Sequence, residues 1–198
     1  YNMMHNNVDI ILLQETHHNP TYTLPANFFP LGKSFPKKFY SCSDDNTSDG
    51  IICMAKQDIS FLEESTQIIS GRLDYMRLKH SDYVNLVHVY NVYNYTSNFI
   101  EQSITLLERL DLHITLGEYN PDDTILIVGD ININMSVDPT HPPSRPLARL
   151  YRLLEKFNLV DVLQELNHDN PTWRGAGLRN TSHSRLDIVF FNQPSHYN

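Results

Sequence analysis

Between Thr124 and Asn132 the chain reads Thr-Ile-Leu-Ile-Val-Gly-Asp-Ile-Asn, and no other stretch limits the fold so tightly. Ile125 to Val128 are four consecutive β-favouring apolar residues with no polar face, which predicts a strand buried on both sides. Gly129 ends the run, and Asp130 and Asn132 follow at the mouth of that strand. Desolvating a carboxylate without a partner is costly, so a packed domain does not keep an Asp there for stability. The position suits a group that handles a proton, a metal or a phosphate.

Three other stretches end or begin the same way. Ile10-Ile11-Leu12-Leu13 runs into Gln14-Glu15-Thr16, and the alternating stretch Val84 to Val92 runs into Tyr93-Asn94. In Ser184-Arg185-Leu186-Asp187 the polar group instead leads the strand Ile188 to Phe191. An antiparallel neighbour brings that leading end to the edge where the others finish. One Asp or Asn at a strand end is usually turn chemistry. Four strand ends of complementary type predict a shared polar rim.

The rest of the pattern supplies a scaffold. Strand signals fall at 9–14, 37–42, 50–55, 73–79, 83–92, 124–128 and 185–191, several of them short and turn-bounded as antiparallel strands are. Ile100, Ile104, Leu107, Leu110 and Ile114 recur at helical spacing, as do Leu147, Leu150, Tyr151, Leu154 and Phe157, with Ser144 as N-cap. The segment 17–36, with prolines 20, 25, 30 and 36, reads as a long irregular loop. Strands outnumber helices and the helices fall between strands, so the expected class is α/β (α+β) with a two-layer sheet core and flanking helices. A chain of 198 residues that is 40% hydrophobic suits one such core, a single domain spanning 1–198.

Composition then excludes several classes of partner. Apolar runs reach only four or five residues, so no transmembrane helix and no membrane partner is expected. The first residues carry no signal-peptide pattern. Cys42 and Cys53 read as two free thiols in a reducing compartment, hence an intracellular protein. The net charge of −8 argues against a protein that grips nucleic acid by electrostatics alone. Locally the balance differs: Arg174, Arg179 and Arg185 lie in a stretch, 171–186, that has no acidic residue and holds the sole Trp. These three arginines are candidate contacts for an anionic substrate beside an acidic site. Arg145, Arg149 and Arg152, like Lys33, Lys37 and Lys38, read as solvated surface.

Each rim residue has a chemistry it can perform. Glu15 suits a hard divalent cation with oxygen ligands, such as Mg²⁺, which fills most of its positions with water and substrate. No Cys/His cluster with zinc spacing is present, and His17-His18 reads as surface loop. Asp130 can orient or deprotonate an attacking water, and Asn132 can donate to phosphoryl oxygens. Tyr93 can donate to the phosphate or assist it as phenolate. Asp187 can fix the tautomer of a general-base His.

Gln14-Glu15-Thr16, Asn91-Val92-Tyr93, Gly129-Asp130-Ile131-Asn132 and Ser184-Arg185-Leu186-Asp187 resemble, in order, the motifs of the endonuclease/exonuclease/phosphatase superfamily. Leu159-Val160-Asp161-Val162, then Pro171-Thr172-Trp173, resemble one branch of it, the apurinic-type endonuclease domain of LINE-like (non-LTR) retrotransposons. The resemblance implies a four-layer sandwich of two mostly antiparallel sheets flanked by helices. It also implies Mg²⁺-dependent phosphodiester cleavage, with Mn²⁺ as substitute. By motif, Glu15 matches the metal-binding Glu, Tyr93 the phosphate-contacting Tyr, Asp130 and Asn132 the Asp/Asn pair, and Asp187 the partner of the catalytic His. Tyr90 is a competing match for the Tyr; Tyr93 is preferred because Asn91 then fills the family's Asn two places earlier.

The branch implies DNA as substrate, a target strand nicked to leave a 3′-hydroxyl, a reverse transcriptase domain in the same polyprotein, and nuclear action. Two motifs are missing: an Asn on a strand upstream of Glu15, and a terminal Ser-Asp-His supplying the general base, for which His196 is too close to Asp187. The chain therefore reads as truncated at both ends, and as a poor nuclease in that form. A phosphatase or sphingomyelinase of the same superfamily, or an inactive remnant, are the alternatives.

Overall fold

In the computed structural model the described residues are 8–16, 34–42, 49–96, 98–135, 143–166, 173–174 and 183–192. Two sheets are built from the apolar runs. The smaller is antiparallel, with β3 (Ile51–Ala55) at its centre between β1 (Ile10–Leu13) and β2 (Lys37–Ser41). The larger has the order β4 (Ile59–Phe61), β6 (Leu73–His80), β7 (Val87–Tyr93), β8 (Thr124–Asp130), β12 (Asp187–Asn192), β9 (Leu159–Asp161), and β5 (Thr66–Ile69) also pairs with β6. A short hairpin joins β10 (Trp173–Arg174) to β11 (His183–Ser184).

Every pairing in the larger sheet is antiparallel except β7 with β8. A parallel pair needs a crossover long enough to return the chain to the starting edge. Helix α1 (Ile100–Leu116) supplies it. α1 buries Leu106, Leu107, Leu110 and Ile114 against the outer face of the larger sheet. At roughly 1.5–3 kcal/mol per buried aliphatic side chain, those four residues anchor the crossover. Ile100, expected on this stripe, is exposed at the helix start, and Leu106 takes its place in the core.

Helix α2 (Arg145–Lys156) starts as the sequence predicts, with Ser144 Oγ accepting from the Leu147 amide and a proline in the first turn. It buries Leu147, Leu150 and Leu153 in the same core and leaves Tyr151 exposed. Two of its basic residues share one partner on α1: Arg149 Nη2 lies 2.8 Å and Lys156 Nζ 2.6 Å from the Asp111 carboxylate. Arg149, read from sequence as solvated surface, instead belongs to a half-buried ion pair. Helix α3 (Val162–Glu165) follows β9 directly and is capped by the Asp161 carboxylate.

Between the sheets lies a second core, in which Cys53 and Ala55 of β3 meet Met76, Leu78 and Val89 of β6 and β7. A third cluster, Phe35, Ile52 and Met54, covers the outer face of the smaller sheet. The described residues thus give helices, sheet, sheet, in the sandwich order the resemblance implies; the segment 17–33 lies outside them. Cys53 is a buried free thiol. No helix among the described residues is long and apolar enough to cross a membrane.

Three sequence expectations shift. The strand predicted over 83–92 begins only at Val87, because Tyr83 and Val84 form an exposed turn. β8 is not sealed equally on both faces: Ile125, Ile127 and Gly129 are buried against the helices, while Leu126 and Val128 are half-buried on the inter-sheet side. The short strands β4, β5, β9, β10 and β11 fall outside the predicted strand segments, being too brief to show a period of two.

Gly129 has φ +140°, a region L side chains rarely adopt, and a Cβ built there would meet the Val92 carbonyl oxygen at 2.0 Å. Only glycine lets β8 close against β7 at this point. Gly129→Ala should therefore destabilise the fold by at least about 2 kcal/mol in chemical denaturation. A loss no larger than that of an ordinary exposed strand glycine would contradict the close approach.

Candidate active site

Strand register assembles the site. Tyr93, the last residue of β7, is the parallel partner of Asp130, the last residue of β8, and Asp130 is the antiparallel partner of Asp187, the first residue of β12. Register partners project to the same face of a sheet. Three adjacent strands therefore present Tyr93, Asp130 and Asp187 as one row. The smaller sheet adds Glu15, directly after β1: the Tyr93 hydroxyl donates to Glu15 Oε1 at 2.5 Å. Asn132 completes the edge, its Nδ2 donating to the Asn94 carbonyl at 2.9 Å. The five residues singled out as the rim thus share one end of the sandwich.

Tyr90 does not. It is fully buried on the opposite face of β7, where its hydroxyl bonds the Tyr119 hydroxyl at 2.6 Å and lies 2.9 Å from His113 Nδ1. Geometry favours Tyr93, three residues on, whose side chain emerges on the inter-sheet side.

Two of the rim residues hold left-handed backbone, Glu15 at φ 51° and Asn132 at φ 49°. For a non-glycine residue this costs on the order of 1–2 kcal/mol, so both positions must be fixed by neighbours. Asn132 is fixed by a tight turn in which its own amide donates to Asp130 Oδ1 at 2.8 Å. Glu15 is fixed on both sides. Gln14 Nε2 donates to Asn91 Oδ1 at 2.6 Å, and the Thr16 amide donates to the Gly50 carbonyl at 3.1 Å.

The electrostatics differ along the row. The Asp130 carboxyl is pushed up to about 6, by burial first and then by the negative charges of Asp187 and Glu15, against the lowering effect of the Asn132 amide. It is a carboxylate at neutral pH that holds a proton readily just below it, the range suited to general-base work. The Tyr93 phenol is raised to about 12, by burial first and then by its bond to Glu15 and that residue's charge. Tyr93 therefore stays protonated and acts as a donor; the phenolate role considered from sequence does not fit this environment.

One cation beside the row was not anticipated. Arg72, between Gly71 and the start of β6, is largely buried and pairs with Asp49. Its guanidinium lies 4.4 Å from the centre of the Tyr93 ring and 4.6 Å from that of Tyr95. Nothing local in the sequence marks it, since Asp49 and Tyr93 reach it only through the sheet pairing.

The arginine-rich stretch fares differently. Arg185 was a candidate substrate contact, but its side chain is 8% exposed and forks onto Asp161 at 2.9 and 2.5 Å. Such a bidentate pair satisfies both ions and ties the approach to β12 to the β9–α3 junction. Arg185 is thus corrected to a structural residue. Arg179 lies outside the described residues, as does the side chain of Arg174; so do His17, His18 and His196.

The donor set is consistent with a hard cation. It consists of oxygen groups around an exposed Glu15 carboxylate, and among the described residues no cluster of three or more His, Cys, Asp or Glu could hold a metal by itself. A cation held through one carboxylate and otherwise by water and phosphate is the mode Mg²⁺ prefers.

With the fold and site in view, the comparisons with known proteins identify the class. The chain belongs to the Endonuclease/Exonuclease/phosphatase family, whose model matches residues 2–197. It is thus a member of an enzyme family that acts on phosphoester bonds. By sequence alone no curated protein matches. Solved structures share the fold. D. rerio TDP2 in complex with a single-strand DNA product superposes with TM-score 0.66 at 18% identity, covering 94% of this chain and 72% of that one. TDP2 from Caenorhabditis elegans gives 0.62 at 16%, covering 95% and 55%. The endonuclease domain of TRAS1, a telomere-specific non-LTR retrotransposon, gives 0.58 at 16%, covering 79% and 67%. At these identities the likeness is one of fold.

The raised Asp130 carboxyl carries a stability signature. A carboxyl with a higher pKa folded than unfolded binds its proton more tightly in the native state, so its contribution falls as pH rises from about 4 to about 6. Asp130→Asn keeps the acceptor for the Asn132 amide and removes the charge. With chelator present, the variant should melt at the wild-type temperature near pH 4 and above it at pH 7.5. An equal or lower melting temperature at pH 7.5 would show that the Asp130 carboxyl is not raised by its burial and neighbours.

Proposed function

We propose that this chain is a divalent-metal-dependent DNA endonuclease that hydrolyses one phosphodiester of a target strand. It would serve a LINE-like retroelement in which a reverse transcriptase extends the nick, and it would act at nuclear DNA. The observation that carries the reading is the row Tyr93, Asp130 and Asp187 on three adjacent strands, with Glu15 bonded to the first of them. The single-strand DNA product complexed with D. rerio TDP2 and the retrotransposon origin of the TRAS1 domain support a nucleic-acid substrate over a lipid one.

In this reading Glu15 would hold Mg²⁺, or Mn²⁺ in its place, and the ion would supply positive charge to the scissile phosphate. The protein's own groups do the rest. The second N–H of the Asn132 side-chain amide, and the Tyr93 hydroxyl once it turns from Glu15 to the substrate, donate to non-bridging phosphoryl oxygens, where negative charge changes as the bond order to phosphorus changes. Asp130 takes a proton from water as the water oxygen bonds to phosphorus. The bond from phosphorus to O3′ breaks, and O3′ leaves with its electron pair and is protonated from solvent, giving a 3′-hydroxyl and a 5′-phosphate. Burial first, and then the charge of Asp187 directly across the ladder, keep the Asp130 carboxyl basic.

The test is nicking of supercoiled plasmid by the chain in its complete reading frame. Mg²⁺ should be required, nicks should be extendable by a polymerase, and Asp130→Ala should reduce the rate by about 10²–10⁴-fold. Nicking insensitive to Asp130→Ala would remove Asp130 from the chemistry. Hydrolysis of a small phosphomonoester without nicking would place the chain among the phosphatases.

A further inference from the structure

One face of β6 does not read as a core strand should. Asp74, Met76 and Leu78 alternate along it toward the smaller sheet, and the last two belong to the inter-sheet core. Asp74 is 1% exposed, and neither of its carboxyl oxygens has a well-formed hydrogen bond, with only a loose approach from the Ser41 hydroxyl. Its charge helps push the Cys53 thiol up to about 12, which places it against β3. Burial raises the Asp74 carboxyl itself to about 7, with the nearby Ser41 hydroxyl drawing it partly back. An orphaned buried carboxyl of this kind weakens a fold. The chemistry assigned above does not use it.

Directly across the β6–β7 ladder sits Asn91, fully buried, whose Nδ2 is also without a partner. An orphan donor and an orphan acceptor are thus opposite one another, with Cβ atoms about 4.5–5.5 Å apart in such a pair. The two groups face one another across the ladder and are not bonded to each other in this structure. The other end of Asn91 is already committed: its Oδ1 accepts from Gln14, the residue before Glu15. Glu15 in turn sits in left-handed backbone that needs anchoring.

We propose that Asp74 is a positioning residue for the metal-binding edge, the inner end of a buried strut Asp74–Asn91–Gln14 that holds Glu15 in its productive backbone conformation. The strut runs one layer beneath the row of Arg72, Tyr93 and Glu15, since Tyr93 follows Asn91 by two on β7 and its amide donates to the Arg72 carbonyl at 2.8 Å. In that strut Asp74 accepts from Asn91, Asn91 accepts from Gln14, and the Gln14 backbone is thereby fixed relative to the larger sheet. Glu15 lies on the edge of the small sheet, and the strut locks that edge to the strands bearing Tyr93 and Asp130. This rests on the reading of Glu15 as a metal ligand.

The experiment is Mn²⁺ binding to the full chain, followed by electron paramagnetic resonance, with no turnover involved. Asp74→Val suits a strand and removes an unsatisfied charge, so its melting temperature at pH 8 should rise, whereas its Mn²⁺ affinity should fall about tenfold, the scale of a lost outer-shell partner. Asp74→Asn keeps an acceptor oxygen for Asn91 and should restore binding close to wild type. Gln14→Leu cuts the strut at its half-buried far end, should fold without difficulty, and should weaken Mn²⁺ binding by a similar factor. Combined with Asp74→Val it should weaken binding no further, since one strut is lost only once. Wild-type Mn²⁺ affinity in folded Asp74→Val or in Gln14→Leu would overturn the proposal. Wild type binding Mn²⁺ no better than Glu15→Gln would instead remove the metal reading of Glu15, and this inference with it.

Discussion

The site depends on one close approach, that of β8 to β7 in parallel at Gly129. A Cβ there would sit 2.0 Å from the Val92 oxygen, so the two backbones meet where no other residue fits. That contact sets Tyr93 level with Asp130, and the antiparallel return of β12 sets Asp187 level with both. The row is therefore a property of backbone register, which a one-residue slip would invert. Side-chain hydrogen bonds then only trim it: the Asn132 amide turns onto Asp130, and the Tyr93 hydroxyl reaches Glu15.

A second consequence is that the site sits where two sheets with different tasks meet. The larger sheet is braced by α1 and α2, whose shared Asp111 takes both Arg149 and Lys156. The smaller sheet contributes Glu15 from an edge strand, held in strained backbone by bonds to Asn91 and Gly50. Burial raises the Asp130 carboxyl and keeps the Tyr93 phenol protonated, so one environment yields a proton acceptor and a proton donor side by side. Arg72, stacked between Tyr93 and Tyr95, places a positive charge beside an otherwise acidic rim.

What the sequence disclosed and what it hid follow from range. Ile125 to Asn132 show the strand, its glycine stop and the two polar groups at once, because all of that is local. Ser144 and the leucines of α2 are legible for the same reason. The choice between Tyr93 and Tyr90 needed only the alternation of side chains along β7, once motif spacing had fixed the phase. Arg185 was misread because its partner, Asp161, is remote in sequence and meets it only where β9 joins β12. Asp74 and Arg72 were invisible, since each owes its meaning to the neighbour across a ladder. The strands β4 and β5 carry too few residues for a period to emerge.

The central claim is that backbone register builds a metal-dependent phosphodiester site around Glu15. The most direct measurement is anomalous diffraction at the manganese edge from crystals soaked in Mn²⁺. The account predicts a peak at coordination distance from the Glu15 carboxylate, facing the row of Tyr93, Asp130 and Asp187. A peak elsewhere on the protein, with none at Glu15, would contradict it.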